Sequence, residues 1–531
     1  MTLPLHAASL VAAAICLVLP PEALGPELRV TLPRLGPAAA CVAAHVYAAA
    51  LRALPEALYW PYLVGFDTVE YAAAVRDLPL YGWAPFGRTW WYGGWSNRPP
   101  LLYALLYLPA LAGADVLLLM KVVPPLIYGL LGFSAALWGL RAGLGGWGAL
   151  ACAVFVSSYY VVLGFSWQLL ANVLGVALAL LALAFLEDYV EGGSPHLFVI
   201  LSAAACAAHP TAAVMIAAVC SLLLLLRVRE LRRAVVVAGV ALLAFLATAW
   251  YLELRPLAPA AAAGGAPVPR PAGVSVSTEG LVARFLRRLA GYYYLLAPFA
   301  AYAALRLRGL TCLKLLFLSF ATAWALLLFA GFTYSSPLRL AVVPSPLVAL
   351  LAFLGLRMAG GRRLLAAYMI LVIATGLHYA CSRRTSVIMA NMFPGAFEGE
   401  TYFPSGMVSS ILSPELQGEA MELGRLLYGL ANESCPAFIV GANYYVYAHL
   451  AGGFNPHVTW ILSTHEVKGR LAAMGLSLDE VRGAYLLSPR GWLPDWASGR
   501  AKLLSSTEHL ELMYLDRELL ANLTTLIIVT P

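Results

Sequence analysis

Three carboxylates stand close together in a chain otherwise written for lipid: Asp67, Glu70 and Asp77, in the stretch GFDTVEYAAAVRD. Asp67 follows the first well-defined apolar run, which places it near the end of a span. A carboxylate at that depth is costly unless it is solvated, paired or functional. A helix starting at Asp67 would put the three acids on related faces, so the same stretch also reads as the polar side of an interfacial amphipathic helix. A second place with chemistry-bearing residues is His209-Pro210, in the middle of a long apolar run. A histidine inside a helix is ordinarily a satisfied core residue, whereas at an outward turn it reaches the surface where the loops meet.

The elements that must hold these residues are membrane helices. Hydrophobic residues make up 61% of the 531, and charged residues only 11%, against about 25% in soluble domains. So few charges leave a soluble surface uncovered, and lipid is the solvent instead. The net charge of +7 is scattered over helix ends, the pattern of membrane orientation and not of nucleic-acid binding. Apolar runs fall near 37–54, 116–140, 147–163, 170–187, 196–226, 234–252, 290–305, 311–331, 338–356 and 364–380. Residues 3–19 add a further apolar stretch without a basic leader or a clear cleavage site, which reads as an additional helix. The expected fold is a polytopic α-helical membrane protein of about 11–13 spans, with a C-terminal extracytoplasmic α/β domain.

Orientation follows from the basic residues. Arg227, Arg229, Arg232 and Arg233 form one cluster, Arg306, Arg308 and Lys314 another, and Arg357, Arg362 and Arg363 a third. They share the cytoplasmic side if 253–289 and everything after 380 lie outside. Residues 99–113 are too short for the roughly twenty residues of a span and contain Pro109, so they read as an interfacial helix. The run 196–226 is too long for one span and reads as two helices turning at 209–211. Together these choices put Arg141 with the cytoplasmic clusters. The membrane domain is then 1–380, with an outer loop at 55–115 carrying interfacial helices and another at 253–289. Residues 381–531 form the outer domain, where apolar runs at 437–440, 458–462, 485–487 and 526–529 read as strands and 466–475 as a helix. Asn432-Glu-Ser and Asn522-Leu-Thr match the glycosylation triplet there. Cys381 and Cys435 lie in this polar part and could pair in an oxidising compartment.

The combination of features resembles the GT-C class of lipid-dependent glycosyltransferases, most nearly the branch of protein O-mannosyltransferases and lipid A aminoarabinose transferases. Members carry an acid in the first outer loop, often with a tyrosine four positions on; Asp67 and Tyr71 match. A basic residue before Pro-Pro-Leu opens an interfacial helix, here Arg98-Pro99-Pro100-Leu101, and a later outer helix starts at an arginine followed by prolines, here Arg339 with Pro344 and Pro346. A soluble domain after the last span is also shared. The resemblance implies a sugar donor linked to polyprenyl phosphate, membrane lipids as surroundings, and a protein, lipid or glycan acceptor, with no nucleic acid. It implies Asp67 as general base and Arg98 and Arg339 as partners of the lipid phosphate. Where many members have a second acid, this chain reads Ser166-Trp167-Gln168-Leu-Leu-Ala-Asn172. Gln168 and Asn172 are left to hydrogen-bond a sugar or Asp67, and His209 to reach the reaction centre. Without clustered carboxylates a divalent cation is not favoured, and no metal or other cofactor is implied.

Several features have a plainer reading. Arg287 and Arg288 are weaker candidates as phosphate partners and read first as lipid-headgroup anchors. Trp90-Trp91-Tyr92-Gly93-Gly94 is similar to the oligosaccharyltransferase signature but lacks its central Asp and lies in the first loop, so it reads as an aromatic belt. A transporter or flippase is the alternative function. It predicts internal repeats and broken helices with polar residues at the midplane. The sequence has no convincing repeat, and Lys121, near a helix end, is placed to snorkel.

Overall fold

The computed structural model describes residues 33–65, 67–81, 88–91, 94–97, 99–167, 169–226, 230–253, 278–307, 309–330, 341–359, 361–382, 406–408, 412–453 and 455–525. The helix expected at 3–19, the candidate residues Arg98, Gln168 and Arg339, most of the 253–289 loop and the strand expected at 526–529 lie outside the described residues.

The apolar runs form helices because only a helix satisfies its backbone within one segment in lipid. In chain order these are α1 (Pro37–Leu58), α2 (Thr68–Tyr81), a hairpin of β1 (Arg88–Trp91) and β2 (Gly94–Asn97), α3 (Pro100–Leu111), α4 (Val116–Arg141), α5 (Gly146–Ser158), α6 (Tyr160–Phe165) and α7 (Leu170–Glu191). There follow α8 (His196–Ala208), α9 (Pro210–Leu226), α10 (Leu231–Glu253), α11 (Thr278–Tyr293), α12 (Ala297–Arg306), α13 (Thr311–Ala330), α14 (Ser345–Ala359) and α15 (Gly361–Cys381). Among the described residues five helices, α1, α4, α7, α10 and α15, contain stretches long and apolar enough to cross a bilayer, and six shorter apolar helices lie among them. The chain is a multi-pass membrane protein. Small residues set the helix spacing: Gly132 of α4 sits on Ala44 and Ala48 of α1, and Gly139 of the same helix on Ala149 of α5.

Helix α3 has 12 residues, about 18 Å of rise, well short of the roughly 30 Å hydrocarbon core. The 196–226 run is broken as expected. His209 is extended (φ −165°, ψ 141°), and α9 folds back along α8, which brings Cys220 beside Cys206. Arg141 and described residues of two of the basic segments gather at one end. Arg141 pairs with Asp188, Arg233 donates to the Val190 carbonyl at 2.6 Å, and Arg141 lines one cleft with Leu307 and Leu310. At this end Glu187 of α7 also accepts the Thr311 and Cys312 amides of α13 at 2.7 and 2.8 Å, capping a neighbouring helix.

The tryptophan-rich run, read as an aromatic belt, pairs as a β-hairpin in which Trp90 stands opposite Trp95, a strand pairing that the sequence reading did not include.

The C-terminal domain contains α16 (Pro414–Leu430), β3 (Ala437–Val440), α17 (Ala442–Gly452), β4 (Val458–Ile461), α18 (Val467–Ala473), β5 (Gly483–Pro489), α19 (Asp495–Ser498), β6 (Lys502–Ser506), β7 (Leu510–Asp516) and α20 (Arg517–Leu523). Its sheet has the order β4-β3-β5-β7-β6, with β4, β3 and β5 parallel and β7 and β6 antiparallel. Alternate residues of the strands face two cores. Phe438, Leu486 and Leu515 pack with Leu519 in one. Ile439, Leu487 and Leu512 join Leu427, Tyr447 and the membrane helices in the other. Cys381 and Cys435 are both free thiols.

Glu419 fastens the β6/β7 hairpin to α16. Its carboxylate accepts from the Thr507 hydroxyl, from the His509 amide at 3.0 Å and from the His509 ring at 2.8 Å. With Glu508 these residues have the spacing of metal ligands, yet the Glu419 oxygens already serve the hairpin. Burial raises the Glu419 carboxyl, but its bonds to His509 and Thr507 outweigh this and leave it below its ordinary range; the same carboxylate raises the His509 imidazole.

Two outcomes follow. A cysteine at exposed Gly145, beside the Arg141 end, is expected to react with a membrane-impermeant maleimide from the cytoplasmic side only; labelling from outside would invert the topology. The hairpin clamp is fully present above the ordinary carboxylate value and below the ordinary imidazole value. It is lost as pH falls through the lowered Glu419 value or rises through the raised His509 value. Amide exchange across 507–511 is therefore expected to be slowest at mildly acidic pH and faster on both sides.

Candidate active site

Helix α1 is apolar except for a charged pair near its end. Arg52 and Glu56 are spaced i,i+4, and both are buried, with Arg52 Nη1 donating to Glu56 Oε1 at 2.8 Å. The other carboxylate oxygen lies 3.1 Å from Lys121 Nζ of α4. Lys121 also donates to the Glu56 carbonyl at 3.4 Å and to the Tyr62 carbonyl. An ammonium has three protons, so its donors are used. The expectation that Lys121 snorkels to the surface is thus corrected: the side chain is buried, because Glu56 and the carbonyls give it what headgroups and water would.

This charge set is the floor of a convergence of loops. Arg52 Nη2 reaches the Ser166 carbonyl at 3.4 Å, and Lys121 holds Tyr62; both carbonyls lead directly into candidate residues. Gly65 has φ +108° and sits against the Trp167 carbonyl, where any Cβ would collide. Only glycine meets both demands. Next, the Thr68 hydroxyl donates to the Val64 carbonyl at 2.6 Å, and the Asp67 carbonyl accepts the Tyr71 amide at 3.0 Å. Asp67 therefore opens α2, with its side chain half-buried.

Across from this turn, α7 begins beside Trp167, and Asn172 lies buried in its first turn. Farther along, Gly175 faces His209 and Ala212. His209 Nδ1 accepts the Thr211 amide at 3.0 Å, an N-cap ahead of Pro210 at the first helical position. The loop to Asp67, the start of α7 and the His209 turn thus meet at one end of the bundle, opposite the Arg141 cluster along α7. Asp67, Asn172 and His209 belong to these adjoining segments. Tyr71, one turn on from Asp67, is buried, with its ring 5.8 Å from that of Tyr103 in α3. Arg288 is buried as well, which removes it from the headgroup-anchor reading.

Sequence reasoning missed Arg52, Glu56 and the pairing of Lys121. The available signal was an opposite-charge i,i+4 pair inside an apolar run, a costly thing to bury unless a partner awaits it. The resulting arrangement brings the segments that carry a half-buried Asp67, a buried Asn172 and His209 to one end of the bundle, next to a buried group of two cations and one anion. It suits proton acceptance at Asp67 and hydrogen bonding to a polar substrate.

No protein-family model and no curated protein matches the sequence. Two solved structures are similar over nearly the whole length. One is ArnT from Cupriavidus metallidurans in the apo state, with a TM-score of 0.51 at 14% identity, covering 89% of this chain and 98% of that one. The other is ArnT from Cupriavidus metallidurans bound to undecaprenyl phosphate, with a TM-score of 0.50 at 12% identity, covering 88% and 97%. The chain has the GT-C fold.

The buried charge set yields a direct expectation. Glu56→Gln leaves Arg52 and Lys121 without a counter-charge and is expected to destabilise the protein by about 3 kcal/mol or more, read as a lower melting temperature in detergent. Lys121→Met in the Glu56→Gln background should recover part of that loss; equal melting of wild type and Glu56→Gln would remove the set from the stability of the fold.

Proposed function

We propose that this chain is a glycosyltransferase that moves a sugar from a polyprenyl-phosphate-linked donor to a protein, lipid or glycan acceptor at the outer membrane face, with Asp67 as general base. The observation that carries the reading is the meeting of the Asp67 turn, the start of α7 and the His209 turn at the end of the bundle away from the Arg141 cluster. The fold shared with ArnT, of which one structure is bound to undecaprenyl phosphate, supports the class of donor.

Asp67 takes the proton of the acceptor nucleophile as that group bonds to the anomeric carbon. The bond from this carbon to the carrier phosphate oxygen breaks, and the polyprenyl phosphate leaves with the electron pair. Its developing negative charge calls for guanidinium partners, a role assigned to Arg98 and Arg339. Asn172 and His209 hydrogen-bond the sugar, as Gln168 does from the residue after Trp167. Tyr71, packed on Tyr103, supports the helix behind the base. Lys121 has no part in holding the leaving group, since Glu56 and two carbonyls occupy its protons.

Purified protein assayed with a panel of polyprenyl-phosphate sugars tests this reading. Asp67→Asn and Asp67→Ala are expected to lower turnover about 100-fold or more with unchanged melting behaviour. Wild-type turnover in both variants would sink the assignment of the base. Arg98→Ala and Arg339→Ala are expected to weaken binding of the undecaprenyl phosphate product, and unchanged binding in both would remove them as phosphate partners.

A further inference from the structure

Helix α2 is pinned at both ends, and by different parts of the molecule. Its first turn lies on the membrane helices, where Gly65 meets Trp167 and Tyr71 meets Tyr103. Its last turns are held by the C-terminal domain. Asp77, 1% exposed, accepts from His449 Nε2 of α17 at 2.5 Å, and His449 is itself 2% exposed. The other ring nitrogen, Nδ1, lies 3.0 Å from the Tyr428 hydroxyl of α16. Tyr445 stacks on the His449 ring at 5.6 Å and 28°, and Tyr428 meets it at 5.7 Å and 62°. Imidazole position and tilt are thereby fixed by three residues, Asp77, Tyr428 and Tyr445.

Arg76, one residue before Asp77, completes the junction. Its guanidinium donates to the His449 and Leu450 carbonyls in the last turn of α17, where the helix dipole favours a cation. Gly453 beyond them has φ +89°. A Cβ there would lie 3.1 Å from the Arg76 guanidinium. The backbone angle at this turn favours glycine, and a side chain there would crowd the guanidinium.

A buried carboxylate and imidazole are a poor source of stability, because desolvation offsets most of what their attraction contributes, and an apolar pair of similar volume would hold two helices as firmly. What a hydrogen-bonded set adds is register, since it is satisfied at one placement and broken by a small slide. That register is transmitted along α2, which spans about 15 Å between Asp67 and Asp77 at helical rise.

We infer that Asp77, His449, Tyr428 and Arg76 are positioning residues through which the C-terminal domain sets the placement of α2, and with it the Asp67 carboxylate, over the start of α7. The inference rests on the role proposed for Asp67, and makes the outer domain part of the reaction machinery in addition to an acceptor-facing surface.

The experiment uses full-length protein carrying Asp77→Ala, His449→Ala, both together, or the conservative Asp77→Asn, which keeps an oxygen to accept from His449. Turnover, donor KM, melting temperature and amide exchange across 67–75 are measured for each. Both alanine variants are expected to lose kcat about 10- to 100-fold with donor KM little changed and exchange at 67–75 faster. The double variant should be no worse than either single one, and Asp77→Asn should recover most of kcat. Lower melting temperature with wild-type kcat per folded molecule and unchanged exchange at 67–75 would overturn the inference, leaving a merely structural joint. The two readings separate cleanly. If Asp67→Asn is silent, the base assignment falls, while faster exchange at 67–75 in Asp77→Ala still supports control of α2 by the outer domain. If Asp67→Asn is inactive and both alanine variants have normal kcat, the base stands and the positioning role falls.

Discussion

The Glu56 carboxylate is shared by two cations from different parts of the bundle, and the end of the bundle that carries Asp67 is organised around it. One oxygen receives Arg52 from its own helix, the other Lys121 from α4. In a low-dielectric interior each of these ions alone would be strongly disfavoured, so loss of Glu56 would strand both cations. Once assembled, the set reaches outward through its remaining protons to the Ser166 and Tyr62 carbonyls. Those contacts fix the base of the Asp67 loop relative to the start of α7. Ion pairing inside the bundle is in this way converted into loop geometry at its surface.

Elsewhere the same constraint is met by neutral donors. Helix ends and kinks leave carbonyls that water cannot reach, and in lipid each needs a partner. Tyr128 donates to the Ser157 carbonyl at 2.5 Å, Tyr160 to Gly291 at 2.8 Å and Trp138 to Leu180 at 2.9 Å. The Tyr159 and Tyr293 hydroxyls satisfy Tyr292 and Ala341. Each such bond ties one helix to the end or middle of another, so the aromatic side chains serve as cross-links as well as filling. The bundle is held by specific long-range hydrogen bonds in addition to close helix packing.

What was legible in the sequence was local. The break at His209-Pro210, the helix opening at Asp67 and the shortness of 99–113 all follow from residues within a turn or two of each other. The strand Ala437–Val440 showed as an apolar run, while Lys502–Ser506 did not, because it is a largely exposed edge strand with no buried face to impose alternation. The hairpin at 88–97 was masked by its tryptophans, which fit a membrane interface as well as a strand. Lys121 was misjudged for a deeper reason: distance to a helix end is local, but the carboxylate that draws the side chain inward comes from another helix. The union of Asp77 with His449, separated by 372 positions, has no local trace at all. The candidate residues were therefore proposed from local sequence, whereas the contacts that support their segments could be seen only in the fold.

Helix α7 is 94% buried over its most apolar stretch, whereas the corresponding figure is 17% for α10 and 33% for α1 and α15. A membrane that thickens or thins acts on helices through the sides that touch lipid, and these accommodate it by tilting. α10 bears that adjustment most directly, while α7 stands inside a jacket of other helices. The loops gathered at its tip are referenced to a mast that scarcely contacts the bilayer. Changes in lipid chain length or sterol content should therefore reach the outer helices long before they disturb the spacing of Asp67, Asn172 and His209.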